Sequence, residues 1–365
     1  MLRAALIGRC PSEGQAAALR CPVVGWAPSR PAVKLKMNPE QTGGSVSCEG
    51  QPRPPLIAIV GPTAVGKSDL ALHLALTLGG EIVSADSRQV YRYLDIGTAK
   101  PTPEERARVP HHLIDVVDPN ERYTLAQYQA DAYRAIDGII GRGHIPFLVG
   151  GTGLYVRAVV EGLRIPRVAP NARLRAELER RAVDEGPEAL YQELQRVDPE
   201  AAAQIDWRNV RRIIRAIEVY RATGHRISEL RESQAPPYEV LMIGLTIERS
   251  ELYRRIDQRV DRMIAAGLVD EVQRLVDMGY GFDTPAMSGL GYRQIGAYLR
   301  GEVSLPEAVE AIKNETHRFA RQQYTWFRLD DPRIRWYEAR PGVEIDVERF
   351  VEAWLDSLPP WCRRH

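Results

Sequence analysis

The stretch Leu56-Ile-Ala-Ile-Val-Gly-Pro-Thr-Ala-Val-Gly-Lys-Ser68 decides the fold of this 365-residue chain. An apolar strand-like run ends at Gly61, and a glycine loop leads to Lys67 and Ser68 at the start of a helix-forming segment. Strand, G-x-x-x-x-G-K-S loop and helix in this order are typical of a P-loop. The loop amides and the positive helix end hold a chain of phosphates, Lys67 adds a point charge, and Ser68 offers a hydroxyl to a metal ion. The stretch predicts a phosphate site without revealing whose phosphates bind there.

Strand-like and helical patterns alternate after this loop. The predicted strands are 81–84, 111–117, 145–149, 240–247 and 333–337, and the predicted helices are 124–140, 250–265, 268–278 and 306–328. Such alternation indicates a parallel sheet whose ligands lie outside the carboxyl ends of the strands. The fold class is therefore α/β, a P-loop NTPase-like parallel sheet flanked by helices, with an all-helical insertion.

The domain organisation follows from changes in composition. Strand signals vanish between 166 and 237, which predicts a helical insertion domain within a core formed by 55–165 and 238–345. A C-terminal tail helix is expected at 346–365. Residues 1–54 are rich in Gly, Pro, Ser and Ala and show no sustained period, so they are predicted to be a disordered extension.

Charge and cysteine usage narrow the function classes. The net charge is +1, so a nucleic-acid site must come from local clustering of basic residues. No apolar stretch approaches the length of a membrane span, and no membrane partner is expected. The four cysteines, Cys10, Cys21, Cys48 and Cys362, lie outside the patterned body, which argues against a disulfide framework and favours a cytoplasmic location.

The second and fourth strands end in side chains that could carry chemistry. Asp86 follows strand 81–84 and could accept a proton from a nucleophile, although it could also cap a turn or bind a metal through water. Thr152 follows strand 145–149 and could donate a hydrogen bond, or simply form a turn. Because that strand ends in Gly-Gly-Thr-Gly and not in Asp, a motor or switch NTPase is disfavoured, while a small-molecule kinase remains open.

A basic stripe occupies one helical segment of the insertion. Arginines recur at three- and four-residue steps, and apolar residues on the opposite face are expected to pack inward. The two faces comprise Arg208, Arg211, Arg212 and Arg215, and Val210, Ile213, Ile214 and Ile217. Glu218 is the only nearby acid on this helix, so the arginines have few intrahelical partners. The stripe therefore favours a polynucleotide-binding surface rather than an ordinary solvated face. Arg259 could extend it.

Seven stretches together resemble the tRNA dimethylallyltransferase family, also called tRNA isopentenyl transferases. They are GPTAVGKS (61–68), SADSRQVYRYLDIGTAKP (84–101), PHHLIDVVDP (110–119), FLVGGTGLYVRAVVEGL (147–163), RRIIRAIEVYRATG (211–224), LVDEVQRL (268–275) and GLGYRQI (289–295). Their combination is far more specific than the P-loop alone.

The resemblance implies a reaction and its residues. Dimethylallyl diphosphate would prenylate N6 of the adenine directly 3′ of a tRNA anticodon, position 37, with Mg²⁺ as cofactor near Ser68. Asp86 matches the general base, Thr152 a threonine beside adenine and diphosphate, and Arg175 an arginine close to both substrates. The diphosphate would be held by Gly61, Pro62, Thr63, Ala64, Val65, Gly66, Lys67 and Ser68.

The resemblance also implies a surface that binds the tRNA anticodon stem-loop. It further implies that the enzyme is a monomer. The implied contacts are Asp86, Ser87, Arg88, Gln89, Thr152, Arg175, Arg211, Arg212, Ile213, Ile214, Arg215 and Arg259. The chain departs from the family pattern at His317 and Gln322, where arginines are usual, and it lacks the zinc finger of eukaryotic members, so a bacterial type is expected. Transfer to free AMP or ATP, a small-molecule kinase and a non-catalytic RNA-binding protein are the alternatives.

Overall fold

The computed structural model describes residues 53–166, 168–229 and 235–359. The predicted disordered extension, apart from its last two residues, and all four cysteines lie outside the described residues. None of the helices in the described part combines the length and apolar character that a bilayer-spanning helix needs.

Six strands form one parallel sheet, which confirms the α/β fold class. They are β1 (Pro55–Val60), β2 (Gly80–Ser84), β3 (His111–His112), β4 (Ile145–Val149), β5 (Glu239–Thr246) and β6 (Ile334–Glu338), in the order β3-β2-β4-β1-β5-β6. All adjacent pairs run parallel, and Ile57 of β1 lies in register with Phe147 on one side and Leu241 on the other. The continuous apolar sequence of β1 is explained by its position, because β1 has a strand on each side and both of its faces are covered by helices.

Nine helices of the described chain flank this sheet or follow it. They are α1 (Lys67–Leu78), α2 (Pro103–Arg108), α3 (Leu125–Gly141), α4 (Gly153–Val160), α9 (Arg249–Ala265), α10 (Leu268–Asp277), α11 (Tyr292–Leu299), α12 (Leu305–Trp326) and α13 (Val343–Ser357). Four more lie between β4 and β5, namely α5 (Ala172–Asp184), α6 (Pro187–Val197), α7 (Pro199–Gln204) and α8 (Val210–Thr223). The described residues of 166–237 contain helices and no strand.

The two faces of the sheet carry separate cores. Leu56, Ala58 and Val60 of β1 pack with α3 and α4, whereas Ile57 and Ile59 pack with α1 and the C-terminal helices. This alternation follows from the two-residue period of a strand. Helices α5 to α8 enclose a third apolar cluster of their own.

A buried carboxylate organises this third cluster. Glu218 of α8 accepts hydrogen bonds from Nε (2.9 Å) and Nη2 (2.7 Å) of Arg175, from Arg215 Nη1 (2.6 Å) and from the Asn171 N–H (2.7 Å). Burial opposes its ionisation, but these donors lower the pKa of Glu218 to about 2. The acid is therefore ionised at neutral pH and joins α5 to α8.

The third predicted strand is wrong in length. Instead of covering 111–117, β3 ends at His112, because Leu113 (φ 62°) and Asp115 (φ 57°) turn the backbone into the left-handed region. Val116 and Val117 then donate their N–H groups to the carbonyl oxygen of Val90. The C-terminal helix also differs: it begins at Val343, before the predicted 346, and ends at Ser357.

A second buried carboxylate fixes the long loop after β2. Glu271 of α10 accepts the N–H groups of Asp95 (3.0 Å), Ile96 (2.7 Å) and Gly97 (3.1 Å), and the Tyr292 hydroxyl (2.6 Å). Three backbone donors and a hydroxyl satisfy the acid without a cationic partner. This loop forms one wall of the cavity described next.

Candidate active site

The loop after β1 has the backbone conformation of a phosphate cradle. Gly61 has φ +141°, and a Cβ there would lie 2.4 Å from the Leu245 carbonyl oxygen, so only glycine lets the loop approach β5. Gly66, at φ +107°, begins α1 without a side-chain cap. The N–H groups of the first helical turn are left for an anion.

Lys67 is held in this cradle and is poorly solvated. Its Nζ donates to the Pro62 carbonyl oxygen at 2.8 Å. Burial, and then the charge of Arg259, lower the pKa of Lys67 to about 7, while Asp86 acts in the opposite direction. An incoming anion would reverse this shift, because it stabilises the protonated amine.

Asp86 follows β2 and presents one oxygen to the cavity side. Its Oδ1 accepts the Arg88 N–H at 2.8 Å and the Gln89 N–H at 3.4 Å, so the turn-capping role considered from the sequence is real. Within the described residues Oδ2 makes no hydrogen bond, and Asp86 lines the same cavity as Lys67. The turn orients the carboxylate and leaves an oxygen that can accept a proton.

Thr152 lies beside Asp86, as predicted from the two strand ends. Its Oγ1 accepts the Ser87 N–H at 3.1 Å, and its own N–H donates to the Ala85 carbonyl oxygen at 3.2 Å. The preceding glycine is needed for this approach, since a Cβ on Gly150 would lie 2.2 Å from that same oxygen of Ala85. The glycines after β4 therefore bring the hydroxyl next to the carboxylate.

These groups share one cavity of about 720 Å³. Its lining includes most of the P-loop, residues 86–89 and 150–152, and side chains of α9, α11 and α12. The basic side chains of the lining are Lys67, Arg88, Lys100, Arg255, Arg259, Arg262 and Arg293. A cavity of this size that joins a phosphate cradle to a base can accommodate two reactants.

Helix α9 presents an amphipathic wall to this cavity. Arg255, Arg259 and Arg262 recur along one line, beside an apolar line of Ile256, Val260 and Met263. The two acids of α9 that lie nearest to these arginines in sequence pair with α12 instead: Asp257 lies 2.9 Å from His317 and Asp261 lies 2.7 Å from Lys313. In the described chain, Arg259 and Arg262 have no carboxylate within ion-pair distance, so both charges are available to an anionic ligand.

Two of the predicted tRNA contacts after Asp86, Arg88 and Gln89, are held by the protein itself. Arg88 donates to the Pro285 carbonyl oxygen at 2.9 Å, and the Gln89 amide contacts Ser84 Oγ and the carbonyl oxygens of Thr98 and Ala99. Both line the cavity. Gln89 therefore serves to anchor the 98–99 loop beside the site.

The structure does not bring the insertion residues to this cavity. Arg175 and Arg215 are bound to Glu218, so the expectation of an unpaired stripe is wrong for Arg215, and neither guanidinium lines the cavity. Ile213 and Ile214 are only 0% and 4% exposed, because α8 turns its apolar face into the third core. Their side chains therefore pack in the core, and the tRNA contact predicted at these two positions stays a prediction.

An exposed basic surface nevertheless remains at the start of α8. Arg211 and Arg212 are exposed and have no ionic partner within the part of the chain that the structure describes. Just before them the guanidinium of Arg208 lies 5.0 Å from the ring centroid of Trp207, which is 36% exposed. We call these four residues the α8 patch.

Sequence reasoning missed Gln323 of α12, which contacts the P-loop and the strand exit before Thr152. In the sequence this part of α12 stands out only because His317 and Gln322 replace arginines that are usual in the family. His317 stacks on Tyr253, with ring centroids 4.1 Å apart, and Gln322 is exposed. Helical periodicity could have separated the two, because Gln323 lies three residues after Ala320 on the buried face of α12 and Gln322 lies off that face.

The Ser68 hydroxyl is a side-chain oxygen of the P-loop that could hold a Mg²⁺ ion beside a bound phosphate. Ser68 is exposed on the first turn of α1 and lines the cavity. The described residues contain no group of three or more His, Cys, Asp or Glu side chains able to hold a metal. Mg²⁺ commonly binds through one or two protein oxygens, phosphate oxygens and water, and the donors present fit that pattern.

Comparison with known proteins identifies the family to which the chain is similar. A family model described as IPP transferase matches residues 89–330, and one described as isopentenyl transferase matches 54–115. The tRNA dimethylallyltransferase of Thermomicrobium roseum is 58% identical over 304 residues, covering 83% of this chain and 92% of that protein. That of Roseiflexus sp. is 60% identical over 303 residues, covering 83% and 99%.

Solved structures agree with the fold. The full-length tRNA isopentenylpyrophosphate transferase of Bacillus halodurans gives a TM-score of 0.62 at 43% identity, covering 82% of this chain and 96% of that one. A eukaryotic dimethylallyltransferase acting on tRNA gives 0.72 at 26% identity, covering 84% and 80%. With a family model matching more than half of its length and relatives at this identity, the chain belongs to the IPP transferase family.

Proposed function

We propose that the protein transfers the dimethylallyl group of dimethylallyl diphosphate to N6 of the adenine immediately 3′ of the anticodon in tRNA. The products are N6-isopentenyladenosine and diphosphate. One observation carries the proposal: a single cavity joins a P-loop to a carboxylate with a free oxygen, in a chain whose relatives are tRNA dimethylallyltransferases.

The P-loop side of the cavity would hold the leaving group. Backbone N–H groups of the P-loop and of the first turn of α1 would surround the diphosphate, apart from the Thr63 N–H, which is bound by Gln323. The charges of Lys67, Arg259 and Arg262 would add to them. As the allylic C–O bond breaks, negative charge grows on the bridging oxygen, and fixed donors stabilise it most effectively in a poorly solvated site. The departing diphosphate keeps the bonding electrons.

The other side would hold the nucleophile. N6 of adenine forms the new bond to the allylic carbon, and the proton that it loses passes to Oδ2 of Asp86. Thr152, positioned by the Ser87 N–H, would orient the exocyclic amine. Because Oδ1 is engaged by the turn, the direction of the accepting oxygen is fixed before substrate binds.

Mg²⁺ is the cofactor that we propose, with the Ser68 hydroxyl as its protein ligand. A magnesium ion bound there would neutralise charge on the diphosphate oxygens. Lys67 and the loop amides would still orient the diphosphate within the cradle.

The α8 patch would contact the anticodon stem-loop. Arg211 and Arg212 supply charge for phosphates, and the exposed ring of Trp207 can stack on an unpaired base. The target adenine must leave its stack to reach Asp86, which is feasible in a single-stranded loop. A monomer acting in the cytoplasm, where tRNA is modified, completes the proposal.

The direct test follows labelled dimethylallyl diphosphate into unmodified total tRNA, with nucleoside analysis of the product. We expect labelled N6-isopentenyladenosine and no label in tRNA lacking adenine 3′ of the anticodon. Absence of transfer to any tRNA would overturn the proposal. Transfer to free AMP as efficient as transfer to tRNA would assign the enzyme to mononucleotides instead.

Asp86→Asn should lower kcat by roughly 10²- to 10⁴-fold, because the amide oxygen can still accept the Arg88 N–H but the basic carboxylate is lost. Binding of an anticodon stem-loop should change little. Asp277→Asn, at an exposed acid on α10, is the matched control and should behave as wild type. A variant that loses tRNA affinity but retains kcat would reassign Asp86 to binding.

The low pKa of Lys67 predicts pH-dependent diphosphate binding. Above pH 7 the free enzyme has lost this proton, which the bound anion requires, so affinity should fall as pH rises through about 7. Lys67→Arg stays charged throughout. Between pH 6.5 and 8.5 calorimetry with inorganic pyrophosphate should show roughly tenfold more loss for wild type than for the variant. Parallel pH profiles would contradict this account, because titration of the ligand affects both proteins equally.

Arg211→Gln combined with Arg212→Gln should weaken stem-loop binding and reduce the slope of log affinity against log salt by about 1–2. The control is Arg134→Gln with Arg274→Gln, which removes the same charge from exposed positions on α3 and α10. Filter binding across a salt series measures both the stem-loop affinity and its dependence on salt. Equal slopes for the two double variants would remove the α8 patch from the tRNA interface.

A further inference from the structure

Gln323 bridges the two halves of the active site. It lies near the end of α12 and is only 3% exposed. Its Oε1 accepts the N–H of Thr63 in the P-loop at 2.8 Å, and its Nε2 donates to the carbonyl oxygen of Gly151 at 3.0 Å. These contacts join segments separated by 260 and 172 residues in sequence.

The chemistry of the two partners fixes this amide in one orientation. Thr63 offers a donor and Gly151 an acceptor, so the carbonyl end must face the first and the amino end the second. The fit leaves no spare space, because a Cβ on Gly151 would lie 2.1 Å from Gln323 Nε2. A side chain of similar length that lacks either a donor or an acceptor cannot maintain both contacts.

The bridge continues to the carboxylate. Gly151 precedes Thr152, whose Oγ1 accepts the N–H of Ser87, and Ser87 follows Asp86. A continuous series of hydrogen bonds and peptide links therefore runs from the P-loop through Gln323 to the proposed base. Each member is a backbone group or a buried or half-buried side chain.

The end of α12 is itself anchored on both sides of Gln323. The Tyr324 hydroxyl lies 2.9 Å from Thr246 Oγ1, at the end of β5. Trp326 packs so closely on the start of α4 that a Cβ on Gly153 would lie 2.3 Å from its ring. The glutamine is thus presented from a fixed support and not from a mobile loop.

We propose that Gln323 is a positioning residue that sets the distance between the diphosphate held by the P-loop and the adenine held at Asp86 and Thr152. The inference rests on the proposed function. Transfer requires N6 and the allylic carbon to approach within about 3–3.5 Å, and a misplacement of about 1 Å costs on the order of 100-fold in rate. Each end of the Gln323 amide already bonds the protein, so we assign to it the spacing of the two substrates and not the binding of either one.

The test uses Gln323→Met, which removes both hydrogen bonds at similar length, and Gln323→Glu, which keeps an acceptor for Thr63 but turns an anionic oxygen toward the Gly151 carbonyl. Gln322→Met, at the exposed neighbour, is the matched control. With both substrates saturating, we expect kcat to fall roughly 10- to 100-fold in both Gln323 variants. For Gln323→Met, dissociation constants for inorganic pyrophosphate and for the stem-loop should stay within about threefold of wild type. The added negative charge of Gln323→Glu is expected to weaken pyrophosphate binding as well.

A second variant approaches the bridge from its other end. Gly151→Ala leaves Gln323 intact but displaces its amide, and should reproduce the loss of kcat; Gly141→Ala, where nothing lies within 4 Å of the added methyl, is the control. Circular dichroism reports folding, and if a Gln323 variant fails to fold, Gly151→Ala decides. Unchanged kcat with a lowered melting temperature, or loss confined to pyrophosphate affinity, would overturn the inference. Failure of the proposed function would differ, since wild type itself would then transfer nothing.

Discussion

Parallel pairing of β1 with β4 on one side and β5 on the other is the constraint on which the site depends. It brings the carboxyl ends of β1, β2 and β4 to one edge of the sheet, so that the P-loop, Asp86 and the Gly150–Thr152 exit meet there. Close backbone contacts complete the arrangement. Gly61 lies against the carbonyl of Leu245, and Gly150 lies against that of Ala85. Side chains at these glycines would separate the strand exits and the groups that they carry.

Charge explains why this edge suits a departing diphosphate. Lys67, Arg259 and Arg262 line the cavity without a carboxylate partner in the described chain, and the charge of Asp86 acts to raise the pKa of both Lys67 and Arg259. Burial is the larger effect and lowers the pKa of both Lys67 and Arg259, which means that their charged forms are poorly solvated. An anion with several negative oxygens relieves this cost, and most strongly when its charge increases as a bond breaks. The apolar line of α9 beside these arginines matches a ligand with a hydrocarbon tail.

The sequence was sufficient where local pattern determines structure. The β1–loop–α1 unit, the alternation of strands and helices and the helical insertion all followed from periodicity and glycine spacing. It failed where distant residues decide. Arg215 looked unpaired along its own helix, yet shares Glu218 with Arg175 of another helix. Ile213 and Ile214 sit between arginines in sequence but face the core. Gln322 and Gln323 are the same residue type, and only the tertiary contacts with Thr63 and Gly151 make Gln323 a bridge.

The central claim is that the P-loop holds a leaving group and that phosphate is not transferred. The measurement that tests it most directly is the stoichiometry of products from the full-length protein, dimethylallyl diphosphate and an anticodon stem-loop, with no nucleoside triphosphate present. The account predicts one diphosphate released for each N6-isopentenyladenosine formed, and none when the adenine 3′ of the anticodon is replaced by uridine. Diphosphate released without a modified base, or a product that appears only when ATP is supplied, would contradict it.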